Sequence, residues 1–400
     1  MNLGYTLAEQ FAVPKNIMTT NPTGVDGFDV HERIECAETL ASRFYTDPSI
    51  LDLEKGRIFR RTWQLVGTVA QDCGEVGGAK RTIRDPETFF TADVAGEPIV
   101  ITRDKKGILR AFSNVCRHRA GPIASGSGCK NVLRCGYHGW TYTLDGRLIG
   151  TPDVEGVEFF DRGNMGMVPL RVDTWENFIF VNFDANAEPL SAFLGNIPEQ
   201  ARGFRFDGLQ LAERRDYIIQ CNWKVYVDNY LEGYHIPIAH PGLMREIDYS
   251  QYRTETYKYH SQQFAPIRAV KPSDSGERFY APGAAGQPQE ALYFWVFPNL
   301  MLNIYPDNVS TNLIVPLAHD KTLTIFEWFF RDVASPATQE RIKRAVAFSD
   351  EVQQEDIGLC ESVQRGLQSS LYDRGRYSVK RENGVHHFHL LLEQFPKQSK

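Results

Sequence analysis

The spacing of apolar and polar positions divides the chain into stretches of different character. Residues 37–62 predict two helices separated by a turn at Asp47, Pro48 and Ser49. The second helix carries an apolar stripe at helical spacing, formed by Ile50, Leu51, Leu53, Ile58 and Phe59. Residues 1–62 are therefore expected to form a helical segment that precedes the first strands.

From residue 63 to about residue 184 the pattern changes to short runs of β-forming residues. Gly-, Asp- and Asn-rich turns separate the runs, which read WQLVGTV, PIVITR, ILRAFSNV, WTYTL and FIFVNF. Short strands with regular turn signals are typical of all-β units. The pattern predicts a small β unit of about 120 residues.

The second half of the chain has a mixed pattern. Residues 222–235 are expected to be helical, and residues 250–335 contain strand-like runs such as LYFWVF, LMLNIY and LTIFEWFF. Residues 336–368 predict one long helix, because Ser335 is a good N-cap and Pro336 suits the first helical turn.

Composition places the 400-residue chain among globular proteins, with 42% hydrophobic and 24% charged residues. The net charge is 44 − 50 = −6, and no basic run occurs, so nucleic acid is not expected as a main partner. The most apolar stretch, residues 291–305, is too short to cross a membrane. No signal peptide is evident at the N-terminus. We expect a cytoplasmic protein with no membrane segment.

The seven cysteines indicate a metal site rather than a disulfide framework, because their number is odd and no export signal is evident. Cys116 and His118 are followed, after 16 residues, by Cys135 and His138. Two thiolates and two imidazoles hold either zinc or an iron–sulfur cluster. A Cys-x-His pair is unlike the usual zinc knuckle and fits a Rieske [2Fe–2S] cluster, which Trp140 could shield from solvent. A structural zinc site is the alternative.

The other cysteines have no comparable spacing. Cys129 lies between the two ligand pairs and is expected to be a loop thiol. The remaining ones are expected to be buried small apolar residues: Cys36, Cys73, Cys221 and Cys360.

A second candidate metal site lies in residues 222–241. Glu232 precedes His235 by three positions, which places both on one helical face, and His240 follows after four residues. Pro237 would disturb the helix and let His240 turn back toward His235. Two histidines from one short stretch suit a divalent metal with open positions.

The long helix offers a third ligand. Its apolar stripe consists of Ala345, Phe348, Val352, Leu359, Cys360, Val363 and Leu367. Asp356 falls on this stripe, and a buried carboxylate is costly unless it is paired or binds a metal. Asp350, Glu351 and Glu355 are expected to be solvated. His235, His240 and Asp356 would form the facial triad of non-haem Fe(II) oxygenases. The alternative is two satisfied core histidines and a paired carboxylate.

These motifs together resemble the catalytic α subunit of Rieske non-haem iron oxygenases, the family of aromatic-ring-hydroxylating dioxygenases. The resemblance covers about residues 40 to 390 and rests on CRHRAG…CGYHGW at 116–140, NWKVYVDNYLEGYH…H at 222–240, and EDIGLCESVQRGL with YDRGRY at 355–377. Glu232 stands where ring dioxygenases usually carry Asp. This glutamate and the stretch at 355–377 are most similar to the choline and carnitine monooxygenase branch, whose members act on quaternary ammonium compounds.

The resemblance implies an α+β fold with three parts. Residues 1–62 would pack on the catalytic domain, residues 63–185 would form the all-β Rieske domain, and residues 186–400 would form a catalytic domain with an antiparallel sheet covered by helices. It also implies a ring of three subunits. Glu232 would bridge the sites between subunits by hydrogen-bonding His235 in its own chain and His138 of the neighbour.

The implied reaction is O₂ activation at a mononuclear Fe(II), with oxygen inserted into an organic substrate. The chain shows no G-x-G-x-x-G fingerprint, so a separate NAD(P)H-dependent reductase is expected to supply electrons. Aromatic faces would hold a quaternary nitrogen, and many are present in the catalytic half, although most are expected to be sheet core: Tyr293, Phe294, Trp295, Phe297, Tyr305, Phe326, Trp328 and Phe329. Hydroxylation of an aromatic ring is the alternative. A Rieske electron carrier is a distant one, because such a carrier needs only one small domain.

Overall fold

The N-terminal part of the fold is a short helical segment. The computed structural model describes residues 28–266, 268 and 291–397. Helix α1 (Arg43–Thr46) is followed by α2 (Pro48–Glu54), which continues into a π-helical turn, Lys55–Phe59. The Asp47 side chain accepts a hydrogen bond from the Ser49 amide and begins α2. The predicted helix–turn–helix is confirmed here, while residues 1–27 lie outside the described residues.

A buried ion pair fastens this segment to the second half of the chain. The Lys224 ammonium donates to Glu54 Oε1 at 2.6 Å, and the Trp223 indole donates to Glu54 Oε2 at 2.8 Å. Both charged side chains are fully buried. Burial raises the pKa of Glu54 and lowers that of Lys224, while the partner charge opposes both shifts. The ring of Phe59 packs edge-to-face on Trp223, with centroids 5.0 Å apart.

The next part is a small all-β unit of twelve short strands. In chain order they are β1 (Gln64–Thr68), β2 (Asp72–Val76), β3 (Ala79–Thr82), β4 (Thr88–Val94), β5 (Glu97–Arg103), β6 (Leu109–Ser113), β7 (Ser127–Cys129), β8 (Val132–Arg134), β9 (Thr141–Thr143), β10 (Leu148–Gly150), β11 (Pro169–Trp175) and β12 (Phe178–Asn182). A seven-stranded sheet has the order β1-β12-β11-β6-β5-β4-β7, and smaller sheets contain β10-β9-β8 and β2-β3. The predicted β unit is confirmed.

This topology brings two loops together. The segment that starts at Cys116 follows β6, and the segment 135–140 is the turn of the β8–β9 hairpin. Both loops pack on one apolar cluster that includes Phe112, Leu133 and Tyr142.

The second half combines helices with one large sheet. In chain order its elements are α3 (Leu190–Leu194), α4 (Ile197–Gln200), β13 (Gln210–Ile219), α5 (Trp223–Tyr230), α6 (Ile236–Ala239), α7 (Pro241–Glu246), β14 (Arg253–Thr256), β15 (His260–Phe264), β16 (Leu292–Val296), β17 (Leu300–Ile304), β18 (Asn308–Ala318), β19 (Lys321–Phe330), α8 (Pro336–Leu367) and α9 (Asn383–Lys397). The sheet order is β13-β19-β18-β17-β16-β15-β14, with every pairing antiparallel.

Helices α5, α8 and α9 cover this sheet through a shared apolar core. Phe388 of α9 is fully buried and contacts Trp295 of β16 and Trp223 of α5, with ring centroids 5.2 and 5.6 Å apart. An antiparallel sheet under helices, next to an all-β unit, is the predicted α+β fold class. That prediction is confirmed.

Helix α8 begins where the sequence predicts, but its buried face differs from the predicted stripe. The Ser335 hydroxyl accepts a hydrogen bond from the Thr338 amide. Leu359 and Val363 are 36% and 49% exposed, whereas Gln353 and Gln364 are buried. Gln353 donates to Thr324 and Gln364 accepts from the Asn222 amide, so hydrogen bonds offset the burial of both amides. Among the described residues, no helix is long and apolar enough to cross a membrane.

Candidate functional site

The two loops of the β unit have the same backbone turn. Each cysteine amide donates to the carbonyl five positions later: Cys116 to Gly121 at 2.8 Å and Cys135 to Trp140 at 2.9 Å. The carbonyl of each cysteine accepts from the amide four positions later, and that residue, Ala120 or Gly139, has a positive φ. The two loops therefore present Cys116 and Cys135 in equivalent positions.

Burial differs between the two ligand types. Cys116 and Cys135 are buried, whereas His118 and His138 are exposed and their ring centroids lie 4.5 Å apart. Trp140 is buried and stacks on His118 at 4.9 Å, so it covers this histidine from the protein side. The pKa of His138 is lowered by partial desolvation and by the neighbouring His118.

The donor set of these loops fits a Rieske cluster. Two buried thiols on the protein side and two imidazoles on the solvent side match the division of ligands between the two irons. The Tyr142 hydroxyl lies 3.3 Å from Cys116 Sγ and accepts from the Arg117 amide at 3.1 Å. It can therefore donate to a cluster-bound sulfur, and such bonds tune reduction potentials.

The other cysteines lie apart from this pair. Cys129 was expected in a loop, but it lies at the end of β7, and its thiol donates to the Cys73 carbonyl at 3.2 Å. Cys73, Cys221 and Cys360 are buried as predicted. The prediction for Cys36 is wrong, because this residue is exposed in a turn ahead of α1.

The second site begins where α5 ends. The sequence predicted helix through residue 235, but α5 ends at Tyr230. Pro237 lies in the first turn of α6, a position that suits proline, so it does not break a helix as predicted. The chain turns at Gly233, where a Cβ atom would lie 2.5 Å from the Tyr252 ring. His235 and His240 therefore stand at the two ends of the single turn of α6.

Each histidine of this site donates its Nδ1 proton to a different carboxylate. His235 Nδ1 donates to Glu232 Oε1 at 2.5 Å, and the other oxygen of Glu232 accepts from the amides of Tyr234 and His235. His240 Nδ1 donates to Glu355 Oε2 at 2.6 Å. These bonds leave the Nε2 lone pairs of both rings available for a metal.

Asp356, which lies in α8, approaches both histidines. Its Oδ1 atom lies 3.1 Å from His240 Nε2 and 3.8 Å from His235 Nε2, and the two Nε2 atoms lie 3.1 Å apart. Within the described residues, these three form the group whose ligand atoms all lie within 4.8 Å of one another. Two imidazole nitrogens and one carboxylate oxygen that converge in this way fit a bound divalent cation, and this donor set suits Fe(II).

Charge and burial act in opposite directions on His240, which is 2% exposed. Burial alone lowers the pKa of its imidazole, but the hydrogen bonds and charges of Asp356 and Glu355 outweigh it and raise the pKa. Glu355 therefore does not point to solvent as the sequence analysis expected. Its long side chain reaches around α8 to the buried ring.

A cavity of about 790 Å³ opens onto this triad between α8 and the sheet. Its wall contains polar side chains such as Asn303 and Gln353. It also contains nine aromatic residues: Tyr226, Tyr230, Tyr252, Tyr293, Tyr305, Phe326, Trp328, Phe330 and Phe348. Four of the eight aromatics singled out from the sequence thus line the cavity. The other four are core, because they lie on buried positions of the sheet or its turns: Phe294, Trp295, Phe297 and Phe329.

A histidine of the C-terminal helix takes part in a separate hydrogen-bond network. His389 lies in α9, where Nε2 is 2.9 Å from Asp228 Oδ1 and Nδ1 is 2.6 Å from the Tyr377 hydroxyl. Tyr45 donates to the other oxygen of Asp228 at 2.7 Å. This network joins α1, α5 and α9. No spacing signal in the sequence points to it, because its members are far apart in the chain.

Comparison with known families agrees with both sites. Residues 76–161 match the Rieske [2Fe-2S] domain, and residues 206–395 match the catalytic domain of the ring hydroxylating alpha subunit. The chain is 38% identical to the chloroplastic choline monooxygenase of Arabidopsis thaliana over 380 residues, which cover 92% of this chain and 85% of the relative. It is 34% identical to the carnitine monooxygenase oxygenase subunit of Acinetobacter baumannii over 375 residues, 90% of this chain and 95% of the relative.

Solved structures show the same architecture. A quaternary ammonium Rieske monooxygenase in complex with L-carnitine superposes with a TM-score of 0.75 at 32% identity, covering 90% of this chain and 96% of that one. Naphthalene 1,2-dioxygenase from Rhodococcus sp. superposes with a TM-score of 0.74 at 18% identity, over 90% of this chain and 95% of that one, which shows a shared fold.

The family of the chain follows from three findings. Two family models match in the expected order, relatives above 30% identity cover nine-tenths of the chain, and two groups of side chains are suited to bind metals. The chain belongs to the α subunits of Rieske non-haem iron oxygenases, and as their terminal oxygenase component it is an oxidoreductase with a Rieske [2Fe–2S] domain and a catalytic domain for mononuclear iron.

Proposed function

We propose that this oxygenase hydroxylates a carbon next to the nitrogen of a quaternary ammonium compound of the choline, betaine or carnitine type. The observation that carries the proposal is the aromatic wall of the cavity at the triad. Tyr293 and Tyr305 meet there nearly perpendicularly, with ring centroids 5.8 Å apart, and Trp328 lies on the same wall. A quaternary nitrogen has no hydrogen to donate, so ring faces are its natural partners. The choline and carnitine monooxygenases are relatives of this chain.

The metal ligands in this proposal are those of the two sites. Cys116, His118, Cys135 and His138 would hold the [2Fe–2S] cluster, and His235, His240 and Asp356 would hold the mononuclear iron. A mononuclear iron held by two histidines and one carboxylate would supply the activation of O₂. The chain itself orients both imidazoles through Glu232 and Glu355 and places the substrate against the aromatic wall.

Glu232 bridges the two sites between subunits of a three-membered ring. Support comes from apolar side chains exposed beside each site, because exposed apolar patches mark protein interfaces. Tyr234 and Ile238, which flank the iron triad, are 58% and 90% exposed, and Tyr137, between the cluster ligands, is 59% exposed. A neighbouring subunit that covers these residues would bring His138 to Glu232.

The proposed domain limits are residues 1–62, 63–185 and 186–400. They agree with the sheets, since β1 to β12 lie in the second part and β13 to β19 in the third. Rieske oxygenase α subunits work with a reductase. For this chain we propose a separate NAD(P)H-dependent flavin and iron–sulfur protein and a location in the cytoplasm.

Hydroxylation of an aromatic ring, by one or two oxygen atoms, is the alternative activity, because aromatic walls also fit aromatic substrates. The test is product analysis with iron-loaded protein, a promiscuous reductase and O₂. Choline, glycine betaine and carnitine are compared with aromatic acids and with 3,3-dimethylbutanol, the uncharged carbon isostere of choline. We expect hydroxylation or C–N cleavage for a quaternary compound and none for the isostere. Equal turnover of the isostere, or preferred turnover of an aromatic acid, would replace this proposal with the alternative.

A further inference from the structure

Helix α8 contacts both nitrogens of one histidine through two consecutive carboxylates. Glu355 Oε2 is 2.6 Å from His240 Nδ1, and Asp356 Oδ1 is 3.1 Å from His240 Nε2. His240 itself stands at the junction of α6 and α7 and is almost completely buried. The imidazole ring is therefore contacted at both nitrogens by residues of one helix, which lie 115 and 116 positions from His240 in the chain.

In the neutral form of His240, which is the form that binds a metal, the two carboxylates compete for the single ring proton. A proton on Nδ1 satisfies Glu355 and leaves a lone pair on Nε2, where a metal can bind. A proton on Nε2 would instead be donated to Asp356 and would occupy the place of the metal. Without Glu355, Asp356 would be the only charged acceptor near the ring among the described residues, because the other close partner of Nε2 is the nitrogen of His235. The proton would then favour Nε2.

We infer that Glu355 is a positioning residue that keeps the His240 proton on Nδ1 and so makes the triad competent to bind metal. This inference rests on the proposed assignment of His235, His240 and Asp356 as the iron ligands. Glu232 and Glu355 then each accept the Nδ1 proton of one histidine, but Glu355 acts on the iron site alone. The side chain of Glu355 contacts His240 and has no part in the cluster loops.

The neighbouring acidic residues of α8 do not share this position. Asp350 pairs with Arg215 at 3.3 Å and accepts from the Tyr217 hydroxyl at 2.8 Å. Glu351, one turn before Glu355, is exposed, and its side chain makes no hydrogen bond or ion pair within the described part of the chain. Glu351 is thus a matched control on the same helix.

The test measures metal affinity rather than turnover. Protein depleted of mononuclear iron, with its cluster retained, is titrated with Co²⁺, and binding is followed by the ligand-field absorption of the bound ion. The variants are Glu355→Gln, Glu355→Ala, Asp356→Ala and the control Glu351→Gln. The melting temperature of the metal-free protein and the EPR signal of the reduced cluster are recorded for each variant.

We expect Glu355→Ala to bind Co²⁺ about 10- to 100-fold more weakly and to release it faster to a chelator, as is usual when the partner of a ligating histidine is lost. Glu355→Gln keeps an acceptor oxygen and should lose less than Glu355→Ala. Glu351→Gln should bind as the parent does. The cluster signal and the metal-free melting temperature should be unchanged in all Glu355 variants.

A Co²⁺ affinity at the parental level in Glu355→Ala overturns the inference. So does an equal loss of affinity in Glu355→Gln and Glu355→Ala with a lower melting temperature, because that result would mean that Glu355 has a packing role. The underlying site assignment fails separately. If Asp356→Ala binds Co²⁺ as the parent does, the proposed triad is wrong whatever the Glu355 variants do.

Discussion

The cluster loops and the iron triad obtain their geometry from different sources. In the loops, backbone hydrogen bonds between residues five positions apart close each turn, and His118 and His138 lie at the surface. In the triad, His240 is buried, and its partner Asp356 is 116 positions away. The loops are local structures carried by hairpins, whereas the triad exists only when α8 is docked on α6 and α7.

This difference has a consequence for stability. Whatever weakens the docking of α8 or of its neighbours acts first on the triad, because no local interaction would hold Asp356 near the histidines. The cluster loops depend on the β unit and should tolerate such changes. Variants in either region can therefore show whether the two metal sites are lost independently or together.

The largest effect is expected from removal of a triad ligand. Asp356→Ala should lose the mononuclear iron and all turnover, because two imidazoles alone bind Fe(II) weakly. The Rieske EPR signal should remain. His118→Ala or His138→Ala should do the reverse and abolish that signal. Metal analysis with EPR of dithionite-reduced protein checks both. Loss of both metals from one substitution would contradict the independence of the two regions.

Glu232→Gln should lose most steady-state activity while both metals stay bound, because the amide keeps the shape of the side chain but not its charge. The measurement is single-turnover oxidation of the pre-reduced cluster with substrate and O₂. Glu232→Asp should retain part of the activity. A parental oxidation rate in Glu232→Gln would remove the bridging role and the ring geometry argued from it.

Lys224→Met should destabilise the fold by about 3–5 kcal/mol, because it leaves the Glu54 carboxylate buried without its cation. Burial already raises the pKa of Glu54. A group whose pKa is raised by folding stabilises the fold at low pH and loses that contribution as pH rises. The deficit should therefore be smaller at mildly acidic than at neutral pH in urea titrations. The double variant Glu54→Gln/Lys224→Met should recover much of the loss, and an equal deficit in the double variant would refute this account.

Tyr142→Phe should leave the cluster in place and lower its reduction potential. The hydroxyl lies next to Cys116 Sγ, and a donor to sulfur favours the reduced cluster, which carries one more negative charge. Protein-film voltammetry measures the shift. Tyr137→Phe, an exposed tyrosine of the same loops, is the control and should keep the parental potential. An unchanged potential in Tyr142→Phe would exclude this bond.

The smallest effect is expected at the start of α8. Ser335→Ala removes the side-chain acceptor for the Thr338 amide and should cost about 1 kcal/mol of unfolding free energy. Ser362→Ala, on an exposed position of the same helix, should have almost no effect. Chemical denaturation compares the two. Equal values would mean that the cap contributes nothing to the stability of α8.

The sequence by itself predicted the candidate ligands whose spacing is local. The cysteine–histidine pairs of the two loops follow from short-range spacing, and the capped start of α8 follows from Ser335 and Pro336. The contact of Glu232 with His235 was predicted from helical spacing, but the structure forms it in the turn after α5. Asp356 could be predicted as a candidate ligand from the sequence, because a lone carboxylate on a buried helix face needs a partner. The small β unit and the mixed second half followed from the change in hydrophobic period along the chain, whereas the α+β fold with a helix-covered antiparallel sheet was implied by the family resemblance.

Tertiary structure decided everything that depends on contacts between distant segments. Which aromatic residues face the cavity depends on the register and covering of the sheet, and both Trp295 and Trp328 fit the same strand pattern. Glu355 was expected to be solvated because helical periodicity gives the direction of the Cα–Cβ bond. It does not say how far a flexible side chain reaches. The His389–Asp228 contact joins residues 161 positions apart. Such pairs leave no periodic trace, because packing between helices, rather than local backbone preference, brings them together.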